Sequence, residues 1–131
     1  MIILDTHIWI WWVHDDDRLS SSMRKLISEN ESNGIGVSII SCWEVAKLVE
    51  KGRLELPVVT SDWINQALSY PGIRLIELIP EICVKSTEMP GEFHKDPADQ
   101  IITATSMYYN WLLLTCDNKI LQYQHVETFG L

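Results

Sequence analysis

Four acidic residues, Asp5, Glu44, Asp99 and Asp117, occupy positions where a strand ends or a helix begins. Asp5 follows the apolar run Met1-Ile2-Ile3-Leu4, and Asp117 comes just after Leu112-Leu113-Leu114-Thr115. Short aliphatic runs of this kind read as buried parallel strands. Glu44 and Asp99 fall in the first turns of predicted helices, in Ser41-Cys42-Trp43-Glu44 and Asp96-Pro97-Ala98-Asp99. In open α/β sheets the carboxyl ends of strands and the helix starts after them line the functional crevice. Carboxylates gathered there repel one another unless a cation sits among them, and a divalent metal is the simplest cation. An all-oxygen ligand set suits Mg²⁺ or Mn²⁺, which bind through few carboxylates, several waters and substrate phosphates. The chemistry that uses such a site is in-line displacement at phosphorus, with a metal-activated water as nucleophile. No Ser-His-Asp or Cys-His arrangement and no Gly-rich phosphate loop offers another route.

The elements that must position these acids follow from hydrophobic period and punctuation. Residues 1–5 read as a central strand, followed by a short helix through Trp9, Trp11 and Trp12. His14 to Asp17 form a polar loop, and Ser20 to Ser22 cap a helix reaching about Ser32, where Asn33-Gly34 breaks it. Gly36 to Ile39 give a second strand. Ser41 opens the next helix with a capping-box spacing to Glu44, and Lys51-Gly52 ends it. Leu54 to Pro57 are extended, Ser61-Asp62 cap a helix around Trp63 to Leu68, and Tyr70-Pro71-Gly72 turn the chain. Ile73 to Leu78 form a third strand, and Pro80 to Met89 a helix. Asp96-Pro97 start a helix with proline at its favoured first position, running to Tyr108 and stopping at Asn110. Leu112 to Thr115 are the fourth strand and His125 to Thr128 a fifth. Strands alternating with helices indicate βαβ units and a mainly parallel sheet within one domain, residues 1–131.

Composition bounds the alternatives. At 131 residues and 47% hydrophobic, the chain can bury a substantial core. No apolar run approaches the ~18–20 residues of a membrane span, and the start lacks a signal-peptide pattern. Cys42, Cys83 and Cys116 form no CxxC pair and cannot all be bridged, which favours the cytoplasm. Scattered histidines argue against zinc. The net charge of −8 opposes tight, nonspecific nucleic-acid binding, but it does not exclude metal-dependent cleavage.

Taken singly, each acid has a structural role. Glu44 could satisfy the Ser41 amide, Asp99 could complement a helix dipole, and Asp117-Asn118 could start a turn. Asp5 is harder to explain away, because a strand-end aspartate after four apolar residues is poorly solvated unless it faces a site. Helical spacing places Cys42, Val45, Ala46 and Val49 on a core face and Glu44 opposite. It groups Asp99 with Thr103 and Ser106 on a polar stripe, against Ile101, Ala104 and Tyr108. Asp15-Asp16-Asp17 lacks calcium-loop spacing and reads as a solvated loop. His7 and His94 suit structural or supporting roles, Lys47 an ion pair one turn from Glu44, and Cys116 a small buried group. Lys47, Lys95 and Lys119 are alternative phosphate contacts.

The segments Leu4-Asp5-Thr6, Val37-Ser38 through Ser41-Cys42-Trp43-Glu44-Val45, His94 through Thr105 (containing His94-Lys95-Asp96-Pro97-Ala98-Asp99) and Leu114-Thr115-Cys116-Asp117 stand in order across nearly the whole chain. In these the chain resembles PIN-domain ribonucleases, particularly VapC-type toxins of bacterial toxin–antitoxin pairs. The resemblance implies a three-layer α/β/α sandwich around a central, mainly parallel sheet. It also implies Mg²⁺- or Mn²⁺-dependent cleavage of RNA, with Asp5, Glu44, Asp99 and Asp117 at the four acidic positions. Asp96 either caps its helix or contacts metal. Thr115 and Thr6 are supporting residues that could hold Asp117 or Asp5, or a water. The implied partners are an RNA substrate, a small antitoxin whose C-terminal segment enters the groove, and a second copy of the chain. Two rivals are an RNA-processing nuclease outside any toxin pair and a noncatalytic protein-binding module.

Overall fold

The computed structural model describes residues 1–130, so Leu131, the last residue of the expected domain, lies outside the described residues. Five strands form one sheet: β1 (Ile2–Leu4), β2 (Ile35–Ser38), β3 (Ile73–Ile76), β4 (Leu112–Leu114) and β5 (Thr128–Phe129). Their order is β3-β2-β1-β4-β5, and every neighbouring pair is parallel. The chain builds outward from β1 to β2 and β3, then returns to the other flank of β1 as β4. The connections therefore reverse direction between β1 and β4, and a crevice opens at such a switch point.

The intervening helices are α1 (Thr6–Val13), α2 (Ser21–Glu29), α3 (Ile39–Glu50), α4 (Thr60–Leu68), α5 (Pro80–Thr87), α6 (Pro97–Tyr109) and α7 (Asn118–Leu121). Alternation along the strands sorts the core into two layers. Ile2, Leu4, Ile35, Val37 and Leu114 pack with Ile8, Trp9, Met23, Ile27, Val45, Trp63 and Ala67, which belong to α1–α4. Ile3 and Leu113 face the other way, against Ile102 of α6 and Ile120 of α7. The result is the expected helix–sheet–helix sandwich. No helix is long and apolar enough to cross a membrane among the described residues.

Several local expectations need correction. The third helix begins at Ile39, with Ser38 as its N-cap (Ser38 Oγ accepts from the Ile40 amide at 3.2 Å), so Glu44 sits in the second turn and not in a capping box. The strand accordingly ends at Ser38, one residue short of the expected Ile39, and the chain turns directly from strand into helix. Ser61 and Asp62 do not cap α4, whose N-cap is Val59 with no side-chain bond. The second helix stops at Glu29, before Ser32. The short α7 was not anticipated; four residues carry too little period to be read. On α6, Thr103 and Ser106 are buried while Tyr108 is 43% exposed, because the helix is enclosed between the sheet and α5 and its covered arc is wider than one stripe. Ala46 is likewise exposed on α3. Of the tryptophans, Trp9 is wholly buried, edge-on to Trp63 at 5.2 Å, and Trp11 and Trp12 are half-buried.

Leu114 is fully buried and its carbonyl accepts the Asp5 amide at 2.9 Å. Leu114→Ala is expected to lower unfolding free energy by about 2–5 kcal/mol in urea denaturation. An unchanged midpoint would contradict the central position of β4.

Candidate active site

The crevice at the switch point is a cleft of about 330 Å³, lined by Asp5, His7, Trp11, Glu44, Asp96, Asp99, Cys116 and Asp117. All four of the sequence-predicted acids are among these residues, together with Asp96. Each is delivered by a different piece of the switch-point architecture. Asp5 leaves β1 and serves as N-cap of α1, its Oδ1 accepting the Thr6 amide at 2.8 Å. Asp117 follows β4 and caps α7, its Oδ1 accepting the Lys119 amide at 2.8 Å. Glu44 comes from α3 and Asp99 from the first turn of α6.

Other side chains hold these acids in place. Thr115 Oγ1 donates to Asp5 Oδ2 at 2.6 Å and also accepts the Asp117 amide at 3.1 Å, so one hydroxyl ties both strand-end aspartates together. The Thr6 hydroxyl makes a short bond to Glu44 Oε1 and lies 2.9 Å from the Ser41 hydroxyl. With one proton to give, Thr6 donates to the carboxylate and accepts from Ser41. His94 Nε2 lies 2.6 Å from Asp99 Oδ2, and Phe93 stacks on the His94 ring at 4.4 Å. Asp96 caps α6 by accepting the Asp99 amide at 3.0 Å.

Thr6, Thr115 and His94 therefore act on the acids directly. Ser41, read from sequence as a helix cap, and Trp11, read only as part of the tryptophan-rich helix, complete the surroundings. Ser41 sits one turn before Glu44, and His7 and Trp11 are spaced i, i+4 on the helix that Asp5 caps; those spacings were the available signals. Lys47 pairs with Glu50 at 2.9 Å and not with Glu44, whose carboxylate is turned inward to Thr6. Cys116 is half-buried, packed against the core on one side and lining the cleft on the other. The Asp15-Asp17 loop is held by ion pairs, Arg24 to Asp15 at 2.5 Å and Arg18 to Asp16 at 2.7 Å.

Burial raises the pKa of Asp5 and Glu44 above ordinary carboxylate values, against the hydrogen bonds that lower them. Asp99 is pushed up to about 7, chiefly by desolvation and further by the negative charges of Asp5, Asp96 and Asp117. A site that disfavours its own anions is chemically suited to a cation. Ligand atoms of Glu44, Asp96 and Asp99 lie within 4.8 Å of one another, as do those of His94, Asp99 and Asp117. The donors are hard carboxylate oxygens with one imidazole, which fit Mg²⁺ or Mn²⁺. Asp5 lies outside both groupings, with each of its oxygens already accepting one bond. Asp96 can cap α6 through Oδ1 and still offer its second oxygen.

The PIN domain family model matches residues 2–126. Ribonuclease VapC22 of Mycobacterium tuberculosis is 29% identical over 124 residues, covering 95% of this chain and 92% of that protein. Among solved structures, VapBC2 from Rickettsia felis bound to a DNA fragment from its promoter superposes with a TM-score of 0.74 at 18% identity, covering 99% of this chain and 98% of that one. FitAcB from Neisseria gonorrhoeae does so with a TM-score of 0.68 at 18% identity, covering 98% and 96%.

Two measurements probe the site. Because the folded pKa of Asp99 is raised, its contribution to stability is fully present below the unfolded value of 3.8 and is lost as pH rises through about 7. The metal-free protein should therefore melt at a lower temperature near pH 8 than near pH 5.5, and Asp99→Asn should shrink that difference. A difference that survives the substitution would put the repulsion elsewhere. Thr115→Val removes the donor to Asp5 and should weaken Mn²⁺ binding by about 10–100-fold in calorimetry, with the fold retained. Wild-type affinity in that variant would show that Asp5 needs no such support. The sheet order, the switch-point cleft and the match over residues 2–126 lead to one conclusion: the chain belongs to the PIN domain family.

Proposed function

We propose that this protein is a metal-dependent endoribonuclease and the toxin of a type II toxin–antitoxin pair. The observation that carries the reading is the convergence of Asp5, Glu44, Asp99 and Asp117 on one cleft in a PIN-family chain. Support for the substrate comes from a relative named a ribonuclease, and for an antitoxin partner from fold neighbours described as VapBC and toxin–antitoxin complexes. The catalytic and metal-holding set is Asp5, Glu44, Asp99 and Asp117, with Asp96 joining it through the oxygen not used in capping. The working unit is one domain spanning residues 1–131, acting in the cytoplasm as a homodimer.

The residues divide the work by how each is held. Mg²⁺ or Mn²⁺, when bound, supplies Lewis acidity that makes water more acidic and offsets charge building on the phosphodiester. Thr115 keeps Asp5 oriented through Oδ2, and Thr6 keeps Glu44 oriented through Oε1. His94 restrains Asp99 through Oδ2, and the Lys119 amide restrains Asp117 through Oδ1. Each carboxylate so fixed retains lone pairs for a cation, and restraint of this kind reduces the reorganisation needed on ligand binding. Attack by water leaves a 5′-phosphate and a 3′-hydroxyl.

The purified protein, free of any partner, is to be incubated with total bacterial RNA in Mn²⁺, Mg²⁺ or EDTA beside Asp5→Asn and Asp99→Asn. Discrete products carrying 5′-phosphates are expected only with metal and only from the wild type. Full activity in a folded variant would remove that residue from the mechanism, and a cyclic phosphate would point to attack by the RNA 2′-hydroxyl. Inactivity together with failure to bind Mn²⁺ would favour a noncatalytic module.

A further inference from the structure

Beside the carboxylate cleft lies a second cavity of about 270 Å³, and Glu44 and Asp96 line both. One wall is the row Trp43, Lys47 and Lys51, set at i, i+4 and i+8 along α3 and its C-cap, which the helical repeat aligns over roughly 12 Å. Arg53 follows just beyond Gly52, whose positive φ of 69° turns the chain back toward the cavity. Trp43 is 52% exposed, unusual for the largest apolar side chain. Lys47 Nζ stands 5.7 Å from its ring centroid. Lys47 also pairs with Glu50, whereas Lys51 and Arg53 are exposed and enter no ion pair among the described residues. In a chain of net charge −8, three of its ten Lys and Arg residues line this one small cavity.

We propose that the cavity is a nucleotide subsite, in which the RNA strand leaving the cleft stacks a base on Trp43 and sets its next phosphates against Lys51 and Arg53. The inference rests on the ribonuclease reading above and extends it to how substrate is held. An exposed aromatic ring bordered by cations is the device by which proteins hold single strands without reading base edges, since every base presents a π-face. The charges are graded: Glu44 and Asp96 stand at the cleft end, and a phosphate meets cations that enter no ion pair among the described residues at the Lys51–Arg53 end. That gradient favours a polyanion running outward from the cleft over an apolar peptide, which would gain nothing from the cations.

The test is steady-state cleavage, in Mn²⁺, of an RNA that the wild-type protein cuts, across a range of KCl concentrations. Trp43→Ala should raise KM about tenfold with kcat unchanged. The double substitution Lys51→Ala with Arg53→Ala should lower the slope of log(1/KM) against log salt by about 1.4, at about 0.7 per lost phosphate contact. Circular dichroism melting should match the wild type, because all three side chains are exposed. Wild-type KM and salt slope in these variants would overturn the subsite while leaving the ribonuclease reading intact. Loss of a co-expressed antitoxin with KM unchanged would assign the face to a protein and equally overturn it. A wild-type protein that cuts no RNA in Mn²⁺ would instead remove the reading on which the subsite rests.

Discussion

Mutual repulsion among carboxylates that the fold has partly removed from water is the constraint on which this structure turns. Asp5 is only 6% exposed, and the pKa of Asp99 is pushed up to about 7 chiefly by desolvation and further by the charges of Asp5, Asp96 and Asp117. Left to itself, such a cluster would relax by turning its side chains toward solvent. It is prevented from doing so by donors aimed at individual oxygens: Thr115 and the Thr6 amide on Asp5, Thr6 on Glu44, His94 on Asp99, and the Lys119 amide on Asp117. Each donor stabilises one anion locally without cancelling the net negative charge of the cleft. Affinity for a divalent cation follows from that residual charge.

The sheet topology makes this arrangement possible. Asp5 and Thr115 are 110 residues apart and come within 2.6 Å because β1 and β4 are parallel neighbours in register. The reversal of strand order between them leaves a cleft beside the two carboxyl ends, which Asp5 and Asp117 line. The helices then bring the remaining acids in from the two sides, α3 carrying Glu44 and α6 carrying Asp99. A single element, α3, borders both the acidic cleft and the basic row from Trp43 to Lys51. In the proposed reading, chemistry and substrate binding would share a rigid support, and a strand bound along that helix would reach the acids without a loop having to close.

Much of this was legible in the chain. The aliphatic runs before Asp5 and Asp117 revealed two buried strands, since only a strand covered on both faces tolerates such continuity. Asp96-Pro97 marked a helix start, because a capping carboxylate followed by a residue with no amide proton suits the first turn. Boundaries were less legible where local and tertiary demands diverged. Ser41 looks like a cap by spacing to Glu44, yet Ser38 has that role and Ser41 is buried against Thr6. Thr103 and Ser106 read as polar, yet both are enclosed, Ser106 by donating to the Trp111 carbonyl at 2.5 Å.

By itself, therefore, the sequence determined the element types apart from α7, the parallel sheet and which acids line the cleft, because hydrophobic period and chain punctuation act over a few residues. Only the tertiary structure decided that Thr115 holds Asp5 and Thr6 holds Glu44, that Lys47 faces Glu50 rather than Glu44, and that Trp9 is core while Trp11 borders the cleft. Those outcomes depend on contacts between residues tens of positions apart, such as Thr115 on Asp5 and Thr6 drawing Glu44 inward away from Lys47, and on how far burial raises the energy of a charge. Neither is encoded in any local window of the chain.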